Sequence, residues 1–224
     1  MGKTGPKPQG LVKIKWSAGF AYALGLIASD GNLSSDGRHI TLVSTDKDQL
    51  ETFCRVLGVG HKITSHTAQD ETYKRKSSFR VQIGDVLFYA FLQKIGFTPN
   101  KSRTIGAIGI PRKYFFDFLR GSFDGDGCSY SYWDKRWKSS FMFYVVFCSA
   151  SEKHTTWIRT EISERLGING HISRTGVMHQ LRYAKSDSAQ LLKRLYPTRD
   201  VPCLRRKRLK IEATLAIIGK RLPE

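Results

Sequence analysis

Two stretches of this chain, ALGLIASDG at 23–31 and LRGSFDGDG at 119–127, each end in an Asp-Gly pair and put Asp30 and Asp126 at matching places. Each reads as a helical turn of small and apolar residues running into an acid. Residues three and four apart share a helix face. Ala21, Gly25 and Ala28 or Ser29 therefore form one stripe of small side chains, and Gly121 with Gly125 forms another. Small residues let two helix axes approach more closely than the usual ~8–10 Å. If the stripes face each other, the helix ends converge and Asp30 comes beside Asp126. A single Asp-Gly is ordinarily a turn dipeptide. Two of them, each closing a small-residue helix, point to two like halves packed through those helices.

The rest of the chain repeats in the same order. The first half predicts a helix at about 17–30, a strand over HITLVST (39–45) and a helix at about 46–57 closing on Leu57-Gly58-Val59. Extended KITSH (62–66) and SFRVQI (78–83) follow, then a helix near 85–95. The second half predicts a helix over 112–126, aromatic-rich extended segments over 129–148 and a helix at about 151–166 closing on Leu166-Gly167-Ile168. Extended HISR (171–174) and HQLRY (179–183) come next, with a helix near 187–195. The two Leu-Gly endings are helix stops, because Gly takes the left-handed conformation cheaply. The expected partition is a flexible basic arm over 1–10, one half over 11–99, a linker over 100–111, a second half over 112–203 and a C-terminal helix within 204–224 that has no full counterpart.

Charge narrows the partners. Lys and Arg outnumber Asp and Glu 37 to 19, a formal net charge of +18 in 224 residues. Such an excess favours nucleic acid first and an acidic membrane surface second. No window approaches the ~18 consecutive apolar residues of a membrane span, and the basic residues form no long amphipathic helix. The N-terminal MGKTGPKPQG lacks the apolar core of a secretory signal. The four cysteines have no CxxC spacing, which argues against zinc and for buried or half-buried thiols of a reducing, intracellular protein.

Strand periodicity gives the first binding residues. In SFRVQI, Phe79, Val81 and Ile83 alternate with Arg80 and Gln82; in HQLRY, Leu181 and Tyr183 alternate with Gln180 and Arg182. Arg and Gln are side chains that bond base edges bidentately in a major groove, although solvated polar strand faces are common. Arg38, Lys74, Arg75, Lys135, Arg136 and Arg174 on the sheets and connectors would add phosphate and base contacts.

Two adjacent carboxylates repel and share a proton unless a cation neutralises them. Mg²⁺ suits the task, since it prefers carboxylate and water oxygens and accepts phosphate oxygens as further ligands. The residues that converge here, Gly25, Leu26, Ile27, Asp30 and Gly31 with Leu119, Gly121, Asp124, Asp126 and Gly127, resemble the signature of the LAGLIDADG homing endonucleases in their single-chain, two-motif form. The resemblance covers about residues 17–220.

That resemblance implies an α+β fold of two pseudo-symmetric αββαββα halves, joined by the motif helices, whose antiparallel sheets saddle the DNA major groove. It implies that Asp30 and Asp126 bind the catalytic ions, two or three Mg²⁺ that Mn²⁺ or Ca²⁺ could replace in binding, with help from the backbone carbonyls of Ser29 and Gly125. Lys101 and Lys207 match the family's lysines near the scissile phosphates. The earlier acid of the motif survives as Asp124 but is Ala28 in the first half. The implied activity is site-specific double-strand cleavage by a monomer acting as a pseudo-dimer, the product of an intron-encoded or freestanding gene, on a long, imperfectly palindromic site. The alternative is a non-cleaving binder of the same fold, an RNA maturase or DNA-binding regulator.

Overall fold

A computed structural model describes residues 10–66, 77–137 and 139–223. Helix α1 (Ala18–Asp30) starts where the Ser17 side chain accepts from the Phe20 N–H. It is buried on every side from Phe20 to Ala28, as expected of a helix that is apolar all round. The chain then turns directly into a short strand β1 (Gly31–Leu33), which the sequence pattern did not reveal, and continues through β2 (His39–Ser44) and α2 (Lys47–Leu57). Gly58 ends α2 at φ 69°, the left-handed stop anticipated there. Strands β3 (Thr64–His66) and β4 (Ser78–Gly84), helix α3 (Val86–Lys94) and a 3₁₀ turn at Lys101–Arg103 complete this half.

The second half has the same succession: α4 (Phe115–Gly125), β5 (Cys128–Trp133), β6 (Phe141–Ser149), α5 (Glu152–Leu166), β7 (His171–Thr175), β8 (Met178–Ala184) and α6 (Lys185–Leu195). A last helix, α7 (Arg205–Ile217), follows where the first half has only the 3₁₀ turn. Both sheets are antiparallel and four-stranded, in the orders β1-β2-β4-β3 and β5-β6-β8-β7. Identical strand order and matching register make the halves structural repeats.

The halves meet where α1 crosses α4. A Cβ placed on Gly25 would run into the Phe118 carbonyl and lie 2.9 Å from the Gly121 Cα; one on Gly121 would run into the Tyr22 carbonyl. Neither position has room for a side chain, so the two small-residue stripes do face each other. Around this crossing each half builds its own core. Leu42, Val81, Ile83 and Phe88 lie in one, and Phe143, Phe147, Leu181 and Leu192 in the other.

Candidate active site

Asp30 is the last residue of α1, and Asp126 immediately follows α4. A carboxylate is poorly placed at a helix C-terminus, where unpaired carbonyls already form the negative end of the dipole. Here two such ends converge. A Cβ on Gly125 would meet the Ser29 hydroxyl and lie 2.8 Å from Asp30 Oδ2, which explains why the smallest residue precedes Asp126.

Two lysines offset this concentration of negative charge. Lys101 Nζ donates to the carbonyls of Ala28 (2.8 Å) and Ser29 (3.3 Å) at the end of α1. Lys207 Nζ donates to Phe123 (2.7 Å), Gly125 (2.9 Å) and Gly127 (2.6 Å) at the end of α4. Each ammonium thus occupies the C-terminal end of its own half's motif helix, where a cation is favoured. The carbonyls of Ser29 and Gly125, expected as metal ligands, are the ones these lysines already bond.

Burial and mutual charge act together on these groups. Burial, then the Asp126 charge, pushes the Asp30 carboxyl up to about 6. Asp126 is exposed as a whole residue, yet desolvation of its carboxyl by the surrounding protein raises it above the usual value. Burial lowers Lys101 to about 8 against the pull of Asp126 and Asp30, and burial likewise lowers Lys207. Both lysines act on both acids, Lys207 and Lys101 each drawing the Asp30 and Asp126 carboxyls down against burial.

Asp124 has a different task. It is 1% exposed, and its Oδ2 accepts from the Tyr22 hydroxyl (2.9 Å) and the Leu204 N–H (2.7 Å). It ties α1 to the start of α7, the helix that carries Lys207. Burial raises its carboxyl to about 6.

An opening beside Asp30 is lined by Ser44, Asp46, Gln49, Gly125 and Arg206. Gln49 is almost wholly buried; its Oε1 accepts from Ser44 Oγ (2.6 Å), while its Nε2 has no partner among the described residues. Sequence reasoning missed Gln49. The repeat offered no signal, because the equivalent place on α5, counted from Ser44 and Ser149, holds His154. His154 is buried, and burial pushes its imidazole down to about 4. The ring is therefore neutral at pH 7, and Nδ1–H donates to the Gly106 carbonyl (2.7 Å).

Strand register locates the expected binding residues. Arg80 and Gln82 lie on the outer face of β4, opposite the Val81 and Ile83 that enter the core. Gln180 and Arg182 lie on the outer face of β8. Through their β2 and β6 partners, Arg80 matches Gln180 and Gln82 matches Arg182, so the two types are exchanged between halves. Arg38 is exposed just before β2. Lys135 and Arg136 are exposed in the β5–β6 turn, where Arg136 pairs with Asp134. Arg174 does not join them. It pairs in register with His179, on the opposite face from Gln180, and its Nε donates to the Gly176 carbonyl. Lys74 and Arg75 lie outside the described residues. Cys128, expected as a buried or half-buried thiol, is exposed.

No protein-family model and no curated protein matches this chain by sequence. Solved structures match it by fold. The homing endonuclease I-WcaI bound to its DNA recognition sequence superposes with a TM-score of 0.66 at 12% identity over 94% of each chain. I-SmaMI bound to an uncleaved DNA target with calcium ions superposes at 0.57 and 12% identity over 92% of each chain. Full-length DUF199/WhiA from Thermatoga maritima superposes at 0.56 and 14% identity; the match covers 96% of this chain and 66% of that one. The chain has the two-motif LAGLIDADG fold.

Proposed function

We propose that this chain is a site-specific double-strand DNA endonuclease that hydrolyses phosphodiesters with divalent metal ions on a long, imperfectly palindromic target. The observation that carries the reading is the meeting of Asp30 and Asp126 at the converging ends of α1 and α4, with Lys101 and Lys207 beside them. The donor set fits a hard cation. Asp30 and Asp126 supply carboxylate oxygens whose mutual repulsion a cation would relieve, and the Ser29 and Gly125 carbonyls retain a second lone pair each. Among the described residues no cluster of three or more His, Cys, Asp or Glu gathers. The remaining ligand positions would fall to water and phosphate oxygens, as Mg²⁺ and Ca²⁺ accept. The calcium-containing I-SmaMI complex supports divalent-ion use.

When bound, a divalent ion supplies activation of a water and neutralisation of charge on the scissile phosphate. The protein's own groups do the positioning. Asp30 and Asp126 would hold the ions. The ammoniums of Lys101 and Lys207 would add positive charge beside the scissile phosphate, and with its amine lowered only to about 8, Lys101 is mostly charged at pH 7. The unpartnered Nε2 of Gln49 would donate to a water or phosphate oxygen in the opening beside Asp30. Outer-face Arg80, Gln82, Gln180 and Arg182 would read bases, with Arg38, Lys135 and Arg136 on phosphates.

The test is incubation with a random-sequence duplex pool in Mg²⁺, followed by sequencing of new ends. We expect a discrete site with short 3′ overhangs. Asp30→Asn and Asp126→Asn should each cut at least ~100-fold more slowly, the scale of several kcal/mol of lost charge stabilisation. Undiminished cutting in either variant would overturn the assignment. A second reading, a nucleic-acid binder that keeps the fold without cutting, draws on the likeness to DUF199/WhiA and on the two carbonyls already engaged by lysines. Sequence-selective retention of duplexes without cleavage under any divalent ion would favour it.

A further inference from the structure

Arg and Gln exchange places between the two sheets, and strand direction turns that exchange into a distance. Ser44 and Ser78 line the opening beside Asp30. Strand β4 therefore starts at the acid and runs away from it, with Arg80 the nearer residue and Gln82 the farther. In the second half β5 leaves Asp126 at Cys128, which pairs with Val146. Arg182 also pairs with Val146, whereas Gln180 pairs with Cys148, one step closer to the acid. The arginine is thus inner in the first half and outer in the second. Two residues of strand span ~6.8 Å and stacked bases rise ~3.4 Å, so the displacement equals about one to two base pairs.

Each pair is also tied together. Arg80 donates to Gln82 Oε1 (2.5 Å), and Arg182 donates to Gln180 Oε1 (3.3 Å). The Arg182 guanidinium lies 6.0 Å from the Tyr130 ring and 5.9 Å from the Tyr144 ring, which narrows its orientations further. All four side chains are at least partly exposed. An arginine that shares one N–H keeps the two donors that a guanine edge needs, and each glutamine Oε1 keeps a second lone pair. A guanidinium held in advance loses less freedom on binding.

Resting on the endonuclease or binder reading above, we propose that Arg80 and Arg182 each select a guanine, and that the two guanines stand at unequal distances from the centre of the target. Arginine pairs bidentately with guanine O6 and N7, and glutamine with adenine N6 and N7. From the centre outward, the first half-site then reads guanine before adenine, and the second reads adenine before guanine. At these positions the target departs from a palindrome because two residues have traded places on one strand of each sheet.

The test uses the full chain in Ca²⁺. Duplexes are enriched by binding from a random pool, and hydroxyl-radical footprinting locates the centre of the best one. Each G·C pair is then replaced by A·T in turn. We expect one guanine per half-site whose loss weakens binding at least about fivefold. Their distances from the centre should differ by about one to two base pairs. Exchanging the first pair, Arg80→Gln with Gln82→Arg, should move the inner guanine outward and make the distances equal. The reciprocal exchange, Gln180→Arg with Arg182→Gln, should move the outer guanine inward. Equidistant guanines in the wild type, or exchanges that weaken every duplex alike as lost phosphate contacts do, would overturn this inference alone. A pool that yields no enriched duplex would overturn the nucleic-acid reading itself.

Discussion

The two halves carry their acids on equivalent helix ends but hold them in place differently. In the second half the motif helix is pinned by buried polar groups. Arg120, fully buried, donates to the carbonyls of Pro202 (2.8 Å) and Leu195 (2.7 Å) and to Asp117 (2.7 Å), while Asp124 receives Tyr22 and Leu204. The matching residues of the first half are Leu24, Ala21 and Ala28, which simply pack. Its lysine comes from a three-residue 3₁₀ turn, whereas Lys207 comes from the 13-residue α7. The difference teaches which feature is constrained. An ammonium on the terminal carbonyls of each motif helix is common to both halves, and the scaffold that delivers it is not.

The most damaging change should strike what the halves share. Gly25→Val or Gly121→Val puts a side chain into backbone 2.7–3.0 Å away and nearer, and should abolish cooperative unfolding in a circular-dichroism melt. Gly106→Ala, with open space around it, should stay within ~0.5 kcal/mol of wild type.

Next comes a change that touches one half only. Asp124→Ala leaves the Tyr22 hydroxyl and the Leu204 N–H without their acceptor, and should lower stability by about 2–4 kcal/mol in denaturant titration. The first half already has alanine at that place and would feel it only through Tyr22. A loss below ~1 kcal/mol would mean that the polar network is not what holds α7.

The acids themselves predict a pH signature. Asp30 ionises at 3.8 ordinarily and at about 6 in the fold. The folded state therefore binds its proton more tightly, and stability is lost as pH rises from about 4 through 6. In metal-free protein, Asp30→Asn should stabilise by on the order of 1–3 kcal/mol at pH 8 and by nothing below about pH 4. By the same sign, divalent-ion binding by the wild type should weaken as pH falls through 6.

The compensation is separately measurable. By carboxylate ¹³C NMR, Lys101→Met and Lys207→Met should each raise the titrations of both Asp30 and Asp126. A lysine whose loss shifts neither acid would be refuted as a compensating charge. The smallest effect belongs to the bidentate Arg206–Asp46 pair (2.8 and 2.7 Å) that links α7 to α2. Arg206→Ala should cost about 0.5–1 kcal/mol and less at high salt, because the Arg206 side of the pair is largely exposed.

Most of the fold was legible in the chain. The helix at 17–30, the strand at 39–45, the stop at Gly58 and the helix at 151–166 all appear where periodicity and helix-end residues put them. Strand β1 escaped because three residues are too few to show alternation. The face of Arg174 was not legible, because an edge strand with exposed residues at both ends carries no burial pattern to fix it. Gln49 escaped for a different reason: its significance lies in an unpaired amide beside Asp30, and no motif spacing encodes that.

What the sequence alone determined was the duplication, the close helix crossing at Gly25 and Gly121, and the arrival of Asp30 and Asp126 together. These follow from glycine spacing and from a 3.6-residue period, both local properties. Only the tertiary structure decided that Lys101 reaches the Ala28 carbonyl 73 residues back and Lys207 the Gly125 carbonyl 82 residues back. It also decided that both lysines compensate both acids, and that Asp124 serves as a tether. Contacts over such separations depend on how two halves dock, and a polar side chain in the linear sequence carries no mark of the partner it will meet.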